Sequence, residues 1–177
     1  MPFAISLRAS EETENLLKDY WSQFNQFETI PSMLELNYAP HISLLVYEDA
    51  PVDRLREVMS LVFSEQHEIR LRFDKLDYFD KPQLVFWASP VKSNNLLALQ
   101  SEAYKLMLPV LCDQYYRPEN WVPHSTLATA VPACNKEMAI AFASTEINSF
   151  DIVFDKVDCV EFPPVRLAKT HVLMPGS

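Results

Sequence analysis

A short sequence motif that occurs twice constrains this chain more than any other feature. Residues 38–44 (YAPHISL) and residues 121–127 (WVPHSTL) share an aromatic residue, a proline, a histidine and, two positions after the histidine, a hydroxyl side chain. In an extended strand, residues two positions apart point to the same face. Each copy therefore predicts a strand that presents one imidazole beside one hydroxyl.

The surroundings of the motif repeat as well. The histidines of the two copies, His41 and His124, are 83 positions apart, while the segments 73–77 (FDKLD) and 154–158 (FDKVD) are 81 positions apart. A second repeat whose spacing differs by only two positions favours a duplicated unit over coincidence. We therefore expect a single domain over residues 1–177, made of two repeated lobes.

The hydrophobic pattern gives both copies the same order of elements, namely strand, helix, strand, strand. The motif-bearing halves cover about residues 33–91 and 116–175. Strands are predicted at 3–8, 38–47, 69–79, 84–88, the second motif, 150–162 and 165–174, with 33–37 as a further strand or approach segment. Helices are predicted at 10–27, 52–64, 94–112 and 135–144, and Pro109 would bend the third of these or end it early. Two such units should pack as lobes around a central cleft. The predicted fold class is α+β, bilobal and pseudo-twofold, with two antiparallel sheets flanked by helices.

Composition excludes several ways of binding phosphate. The chain has a single glycine, Gly176, so it has neither a glycine-rich phosphate loop nor a dinucleotide-binding fingerprint, and side chains must hold any phosphate. The formal net charge of −9 argues against a long nucleic acid as partner, because Lys and Arg contacts to phosphates supply most of that affinity. A small nucleotide or an RNA terminus remains possible as the substrate.

The cysteines and the N-terminal sequence bear on the compartment. Cys112, Cys134 and Cys159 are widely spaced and form no C-x-x-C pair, which indicates free thiols in a reducing environment. Residues 1–8 run directly into acidic residues, unlike a signal peptide, and no apolar run reaches the length of a membrane span. We expect a monomeric, soluble, cytoplasmic protein without membrane contact.

Two histidines across a cleft suit acid–base catalysis at phosphorus. One neutral imidazole takes a proton from the attacking nucleophile while the other, protonated, donates one to the leaving oxygen, and an ordinary pKa near 6.5 allows either state. The hydroxyls beside them would donate hydrogen bonds to the non-bridging oxygens as negative charge grows. The candidate catalytic residues are His41, Ser43, His124 and Thr126. The scheme needs no metal or other cofactor, and a zinc site is disfavoured because each motif offers one imidazole without a carboxylate at ligand spacing.

These paired His-x-Ser and His-x-Thr motifs, one in each half of the chain, resemble those of the 2H phosphoesterase superfamily, which includes 2'-5' RNA ligase-like proteins and cyclic nucleotide phosphodiesterases. The resemblance implies a bilobal α+β fold, a metal-independent reaction and the roles given above for the four residues. Members open 2',3'-cyclic phosphates, cleave 2'-5' linkages or join RNA ends, and some relatives only bind nucleotides. The acidic charge of this chain departs from what RNA ligation and long-RNA binding require. We therefore predict a phosphodiesterase that acts on a small nucleotide or an RNA end.

Other side chains are candidates for substrate binding. Tyr38, Trp87 and Trp121 can stack on a base, although aromatic residues more often serve the core. Three cations are candidates for a phosphate contact, and the spacing does not select among them: Arg8, Lys92 and Arg166.

Two further classes of function fit the same sequence. One is a non-catalytic nucleotide-binding module, a sensor or scaffold that keeps the pocket and lacks turnover. The other is an interaction protein whose acidic surface meets a basic partner.

Overall fold

The computed structural model describes residues 1–176. The strands are β1 (Phe3–Ala9), β2 (His41–Tyr47), β3 (Ile69–Phe79), β4 (Val85–Pro90), β5 (Ser125–Ala128), β6 (Phe150–Glu161) and β7 (Arg166–Val172). The α-helices are α1 (Asn15–Phe24), α2 (Ser32–Glu35), α3 (Val52–Val62), α4 (Asn94–Leu106) and α5 (Lys136–Ala143), with 3₁₀ turns at Pro109–Leu111, Gln114–Tyr116 and Ala133–Asn135. Each motif is followed by a helix and two strands, as the hydrophobic pattern predicts.

The strands pair antiparallel in the order β2-β1-β6-β3-β4-β5, and β7 also pairs with β6. The long strand β6 serves two lobes. Its N-terminal half pairs with β3, and its C-terminal half lies between β1 and β7. The first lobe therefore contains β2, β1, the C-terminal half of β6 and β7, and the second contains β5, β4, β3 and the N-terminal half of β6. The predicted α+β class with antiparallel sheet flanked by helices is confirmed. The strands form one seven-stranded sheet instead of the two sheets predicted, because β6 pairs with strands of both lobes.

The strand registers obey a pseudo-twofold symmetry. Ser6 of β1 lies opposite Asp158 of β6 in the first lobe, and Trp87 of β4 lies opposite Asp77 of β3 in the second. Ser6 and Trp87 are 81 positions apart, and so are Asp77 and Asp158. The repeated segments of the sequence therefore occupy equivalent places in the two lobes.

The irregularities of the sheet follow the same symmetry. The β1–β2 ladder shifts register between Ile5 and Ser6, and the β4–β5 ladder shifts between Phe86 and Trp87, again 81 positions later. A bulge inserts one extra residue into a strand and re-aims the side chains beyond it. Both motif strands therefore approach the cleft with the same geometry.

Each lobe is built from elements of both halves of the chain. The chain runs β1-α1-β2-α3-β3 and then β4-α4-β5-α5-β6, with α2 as an addition in the first set. The third strand of each set pairs with the first strand of the other, and α1 packs on β5 while α4 packs on β2. The symmetry axis passes through the middle of the β3–β6 ladder, where Leu71 faces Ile152. Neither lobe can form without both sets. Division of the chain into the halves 33–91 and 116–175 stays a prediction.

At two places the structure decides between predicted alternatives. Residues 33–37 form no strand, because Glu35 and Leu36 donate backbone hydrogen bonds to the carbonyls of residues 31 and 32 and close the short helix α2. The helix predicted over residues 94–112 ends early, at Leu106, as Pro109 allows. Leu108 has a positive φ of 49° and is followed by Pro109, which has no N–H to continue a helix.

The two faces of β1 show how the sequence separates core from cleft. Ile5 and Leu7 are fully buried on one face, where apolar side chains pack under the helices, and Ser6 and Arg8 lie on the other. In residues 1–176, no helix combines the length and apolar character needed to cross a membrane.

Candidate active site

The structure brings the two motifs together across the cleft. β2 and β5 stand at opposite ends of the strand order, yet their Cα atoms approach within 8 Å. The indole Nε1 of Trp121 donates to the carbonyl of Ser43 (3.0 Å), and that of Trp21 donates to the carbonyl of Thr126 (3.1 Å). These bonds satisfy backbone acceptors that the sheet edge leaves open, and they fix the position of each motif strand.

Both histidines make the same backbone hydrogen bond. Nδ1 of His41 lies 2.9 Å from the carbonyl of Ala39, and Nδ1 of His124 lies 2.7 Å from the carbonyl of Val122. A carbonyl only accepts, so Nδ1 carries the proton in both rings. In the neutral state each Nε2 then has a free lone pair, and in the charged state each Nε2 has a proton to donate. The repeated sequence therefore yields two imidazoles in the same tautomer.

The surroundings shift both imidazoles toward the neutral form. Burial lowers the pKa of His41 from its ordinary value and the charge of His124 lowers it further, while the Ala39 carbonyl and the Asp158 carboxylate oppose this. Burial also lowers the pKa of His124, against the opposing effect of its hydrogen bond to Val122. The two imidazoles are thus close enough for the charge of His124 to act on His41.

The hydroxyl groups have different neighbours in the two lobes. Ser43 shares a hydrogen bond with Ser6 (3.2 Å), which lies opposite it on β1. Thr126 lies opposite Trp87 on β4. Directly opposed residues of an antiparallel pair share a face, so both hydroxyls stand on the same faces as these neighbours. The site is symmetric in its catalytic candidates and asymmetric around them.

A buried carboxylate organises the first lobe. Asp158 is fully buried and accepts hydrogen bonds from the hydroxyls of Tyr38 (2.7 Å) and Thr170 (2.7 Å). Its Oδ2 also lies 3.0 Å from Nε of Arg8. Burial and the Asp158 carboxylate raise the pKa of Tyr38, so its hydroxyl remains a donor. The ring of Tyr38 lies 4.8 Å from that of His41, which connects the carboxylate to the first histidine.

The second histidine has an aromatic surrounding instead. The His124 ring makes edge contacts with Phe79 (5.2 Å between centroids) and Trp87 (5.7 Å), and these two rings stack on each other at 4.9 Å. Nε1 of Trp87 is buried and has no hydrogen-bond partner among residues 1–176. The aromatic contacts restrict the orientation of the imidazole without adding charge to it.

The three aromatic residues predicted to bind substrate differ in exposure and in their contacts. Tyr38 is half-buried, lies at the first motif and lines a cavity. Trp121 and Trp87 are 7% and 6% exposed, and the Trp121 indole is engaged with the Ser43 carbonyl. Stacking on a base stays a prediction for all three, and burial favours Tyr38 over the two tryptophans.

The structure also distinguishes the three candidate cations. Arg8 lies opposite His41 on the neighbouring strand, on the same face of the sheet. Lys92 is exposed in the segment after β4, and Arg166 is exposed at the start of β7. Arg8 is therefore the cation beside the first histidine.

Sequence reasoning missed Asp158, Ser6 and Phe79. Asp158 had a signal in the sequence, since both copies of the F-D-K-x-D segment end in aspartate and the second copy lies in a strand with buried neighbours. The contribution of Ser6 and Phe79 depends on which strands pair, and nothing in their local sequence marks it. Within the described 176 residues, no cluster of three or more His, Cys, Asp or Glu side chains is arranged to hold a metal ion.

Comparison with known proteins agrees with this architecture. The chain belongs to the 2'-5' RNA ligase superfamily, whose family description matches residues 20–161, or 142 of the 177 residues. The resemblance to 2H phosphoesterases noted from the motifs is thereby confirmed, and the protein is a phosphoesterase-type member of this class. A search of curated proteins found no match.

Solved structures share the fold over the full length. TT0787 of Thermus thermophilus has a TM-score of 0.66 at 16% identity, with 100% of both chains covered. LigT of E. coli in complex with 3'-AMP has a TM-score of 0.66 at 14% identity, with 98% of this chain and 99% of LigT covered. A structure described as a phosphoesterase has a TM-score of 0.65 at 14% identity, with 97% of both chains covered.

Proposed function

We propose that this protein is a metal-independent phosphodiesterase that opens a 2',3'-cyclic phosphate or cleaves a 2'-5' linkage in a small nucleotide or at an RNA end. The observation that carries the proposal is the matched state of the two histidines. Each donates Nδ1–H to a carbonyl two residues earlier, on strands that face each other, so both Nε2 atoms are free for proton transfer.

In the proposed reaction, water attacks phosphorus while a neutral histidine takes one of its protons. A new P–O bond forms, and the bond to one ribose oxygen breaks as the other, protonated histidine gives its proton to that oxygen. Ser43 and Thr126 donate hydrogen bonds to the non-bridging oxygens, on which negative charge increases in the transition state. Proton transfer from both sides explains why the site has two imidazoles of the same tautomer.

The proposed substrate is a nucleotide. E. coli LigT, which shares the fold, has been solved with 3'-AMP, with ATP and with NADP+. The half-buried Tyr38 beside the first histidine offers a ring to a base or sugar. A panel of 2',3'-cyclic nucleotides and 2'-5' dinucleotides, with products separated by chromatography, tests the proposal. Absence of product from every member of the panel would reject it.

Nucleotide binding without turnover is the second candidate. The nucleotide complexes of LigT support it, because they concern binding alone. The two candidates are distinguished by isothermal titration with adenosine 3'-monophosphate combined with the product assay. Binding with no product formed over hours would favour a sensor or scaffold.

Loss of either hydroxyl should slow the reaction. Ser43→Ala and Thr126→Val each remove one donor to an oxygen that gains charge, and such a hydrogen bond contributes about 1.5–3 kcal/mol, or roughly a ten- to hundredfold change in kcat. Initial rates under saturating substrate measure this. Ser60→Ala, a change of the same kind on the outer helix α3, is the control and should leave kcat unaltered. Equal rates for all three variants would contradict the assigned role.

The pH dependence follows from the pKa directions. The pKa values of His41 and His124 are both lowered from 6.5, so in the free protein both rings lose their protons below that pH. The reaction needs one charged and one neutral histidine, so kcat/KM should be bell-shaped with its maximum on the acidic side of pH 6.5. A profile of kcat/KM from pH 4 to 9 at constant ionic strength measures this. A maximum above pH 7 would contradict the proposed pairing.

A further inference from the structure

A cavity of about 490 Å³ lies beside the first motif. Its lining includes Tyr38 and Ala39, which precede the first histidine by three and two positions, and three cations, Arg8, Lys18 and Lys156. Pockets of this volume accept small ligands. The cavity thus borders the first motif, and neither histidine is part of its lining.

Two of these cations already have an individual acidic partner. Lys18 lies 2.5 Å from Glu14 one helical turn away, and Lys156 lies 3.0 Å from Asp155. Glu14 also lines the cavity, so its charge is balanced there by Lys18. These lysines contribute less to the binding of an incoming anion than a cation with free donors.

Arg8 is held differently. Its Nε forms an ion pair with Oδ2 of Asp158 at 3.0 Å without hydrogen-bond geometry, and the carboxylate accepts its hydrogen bonds from Tyr38 and Thr170. No other acidic partner of Arg8 lies within salt-bridge distance in residues 1–176. The guanidinium group is a planar fork with five N–H donors, and the ion pair at Nε leaves those of the two terminal nitrogens to other partners. Arg8 therefore offers the cavity a cation that is held beside Asp158 and whose terminal N–H groups are unused.

Register places this cation at a defined distance from the histidine. His41, Arg8 and Lys156 lie opposite one another on the adjacent strands β2, β1 and β6, and we call these three residues the cationic row. Neighbouring strands are about 4.8 Å apart, so the row extends roughly 5–10 Å from the histidine. This distance is comparable to that between the 3' and 5' phosphates of one ribose.

The second lobe keeps the lysine of this row but lacks its arginine, since Lys75, 81 positions before Lys156, lies opposite a serine. Ser89 stands 81 positions after Arg8 and takes its place in the pseudo-symmetric register. It lines a smaller cavity of about 270 Å³ beside the second motif, together with the apolar side chains of Leu96, Leu97 and Val122 and with Lys92, which is exposed. Only the His41 side thus has an arginine directly opposite its histidine, which favours a substrate with an additional anionic group on that side.

We propose that Arg8, assisted by Lys156, binds a second phosphate of the substrate, so that the preferred substrates are nucleotides with a phosphate in addition to the one at the histidines. This proposal rests on the proposed phosphodiesterase function and specifies its substrate class. Charge-assisted hydrogen bonds from a guanidinium to phosphate are strong and directional, and here the carboxylate of Asp158 holds the group in place. Glu11 lines the same cavity but is exposed to solvent, where its repulsion is weak.

The test compares adenosine 2',3'-cyclic phosphate with and without a 5'-phosphate. For the wild-type protein the 5'-phosphate should raise kcat/KM by about tenfold or more, mainly through KM. In Arg8→Gln the ratio of the two kcat/KM values should fall to near one, and in Arg8→Lys it should be intermediate, since lysine keeps the charge and loses the fork. Arg166→Gln, which removes the same charge from an exposed position on β7, is the matched control and should keep the wild-type ratio.

The outcomes separate this proposal from the function on which it rests. A wild-type ratio near one, or an equal loss of the ratio in the Arg8→Gln and Arg166→Gln proteins, would overturn the second-phosphate site while turnover continues. If neither substrate is hydrolysed, the proposed function fails, and calorimetry decides the binding site by itself. Adenosine 3',5'-bisphosphate should then bind at least tenfold more tightly than adenosine 3'-monophosphate to wild type and equally to Arg8→Gln. Circular dichroism spectra confirm that each variant is folded.

Discussion

Alanine at either His41 or His124 should lower kcat for adenosine 2',3'-cyclic phosphate by about 10²–10⁴-fold, the range expected when a general acid or base is lost. Both histidines are polar, half-buried residues whose Nδ1 atoms bond to backbone carbonyls. Their removal opens a small space at the cleft surface, so the fold should persist. Initial rates and circular dichroism of the two variants measure both expectations.

The double variant makes this prediction sharper. Residues that act as a unit are strongly non-additive, so the combined His41→Ala and His124→Ala protein should be little slower than the worse single variant. His171→Ala is the control. His171 lies on β7 opposite the fully buried Val157, on the face away from the cleft, and its loss should leave kcat within about twofold. Full activity of either single variant would reject the mechanism.

Asp158→Asn should produce the largest loss of stability. The carboxylate is fully buried and has three partners, the Tyr38 and Thr170 hydroxyls and Nε of Arg8. The side-chain amide of asparagine would direct N–H groups toward hydroxyl and guanidinium groups that themselves donate. It would also leave the guanidinium without its counter-charge. Removing one partner of a buried ion pair costs about 3–5 kcal/mol. Because the Arg8 side chain is 22% exposed, we expect the lower end, about 3 kcal/mol.

Chemical denaturation measures this loss directly, and the melting temperature should fall by about 6–12 °C for a domain of this size. Asp77→Asn is a matched control at the pseudo-symmetric position. Asp77 pairs with Lys75 at 2.5 Å, but their side chains are 31% and 61% exposed, so its loss should cost less than about 1 kcal/mol. Equal losses for the two variants would show that the difference in burial is without energetic effect.

These two aspartates show how far sequence reasoning reaches. Both end a repeated F-D-K-x-D segment, and the repeat correctly predicted that the segments are equivalent. The repeat did not predict that Asp158 is fully buried between β1 and β7, whereas Asp77 is partly exposed to solvent. Burial depends on which strands lie on either side, and β7 has no counterpart beside β3 at that position.

The candidate catalytic residues could be predicted from the sequence alone. His41 and His124 are marked by a local pattern, and the i, i+2 alternation of a strand places Ser43 and Thr126 beside them from sequence alone. Arg8 was one of three equivalent candidates until the β1–β2 register set it opposite His41. The sequence did not decide the structure of residues 33–37, because short apolar segments fit a strand and a helix turn equally well.

The sequence by itself determined the two imidazole-hydroxyl strands, the α+β class and the pseudo-twofold relation, because strand periodicity and an internal repeat are local properties of the chain. Only the tertiary structure decided that the two ends of the sheet meet, that Trp121 and Trp21 hold them there, and that one lobe is cationic and the other aromatic. Those features depend on contacts between residues as much as 150 positions apart, as between Arg8 and Asp158, and no short pattern in the sequence specifies them.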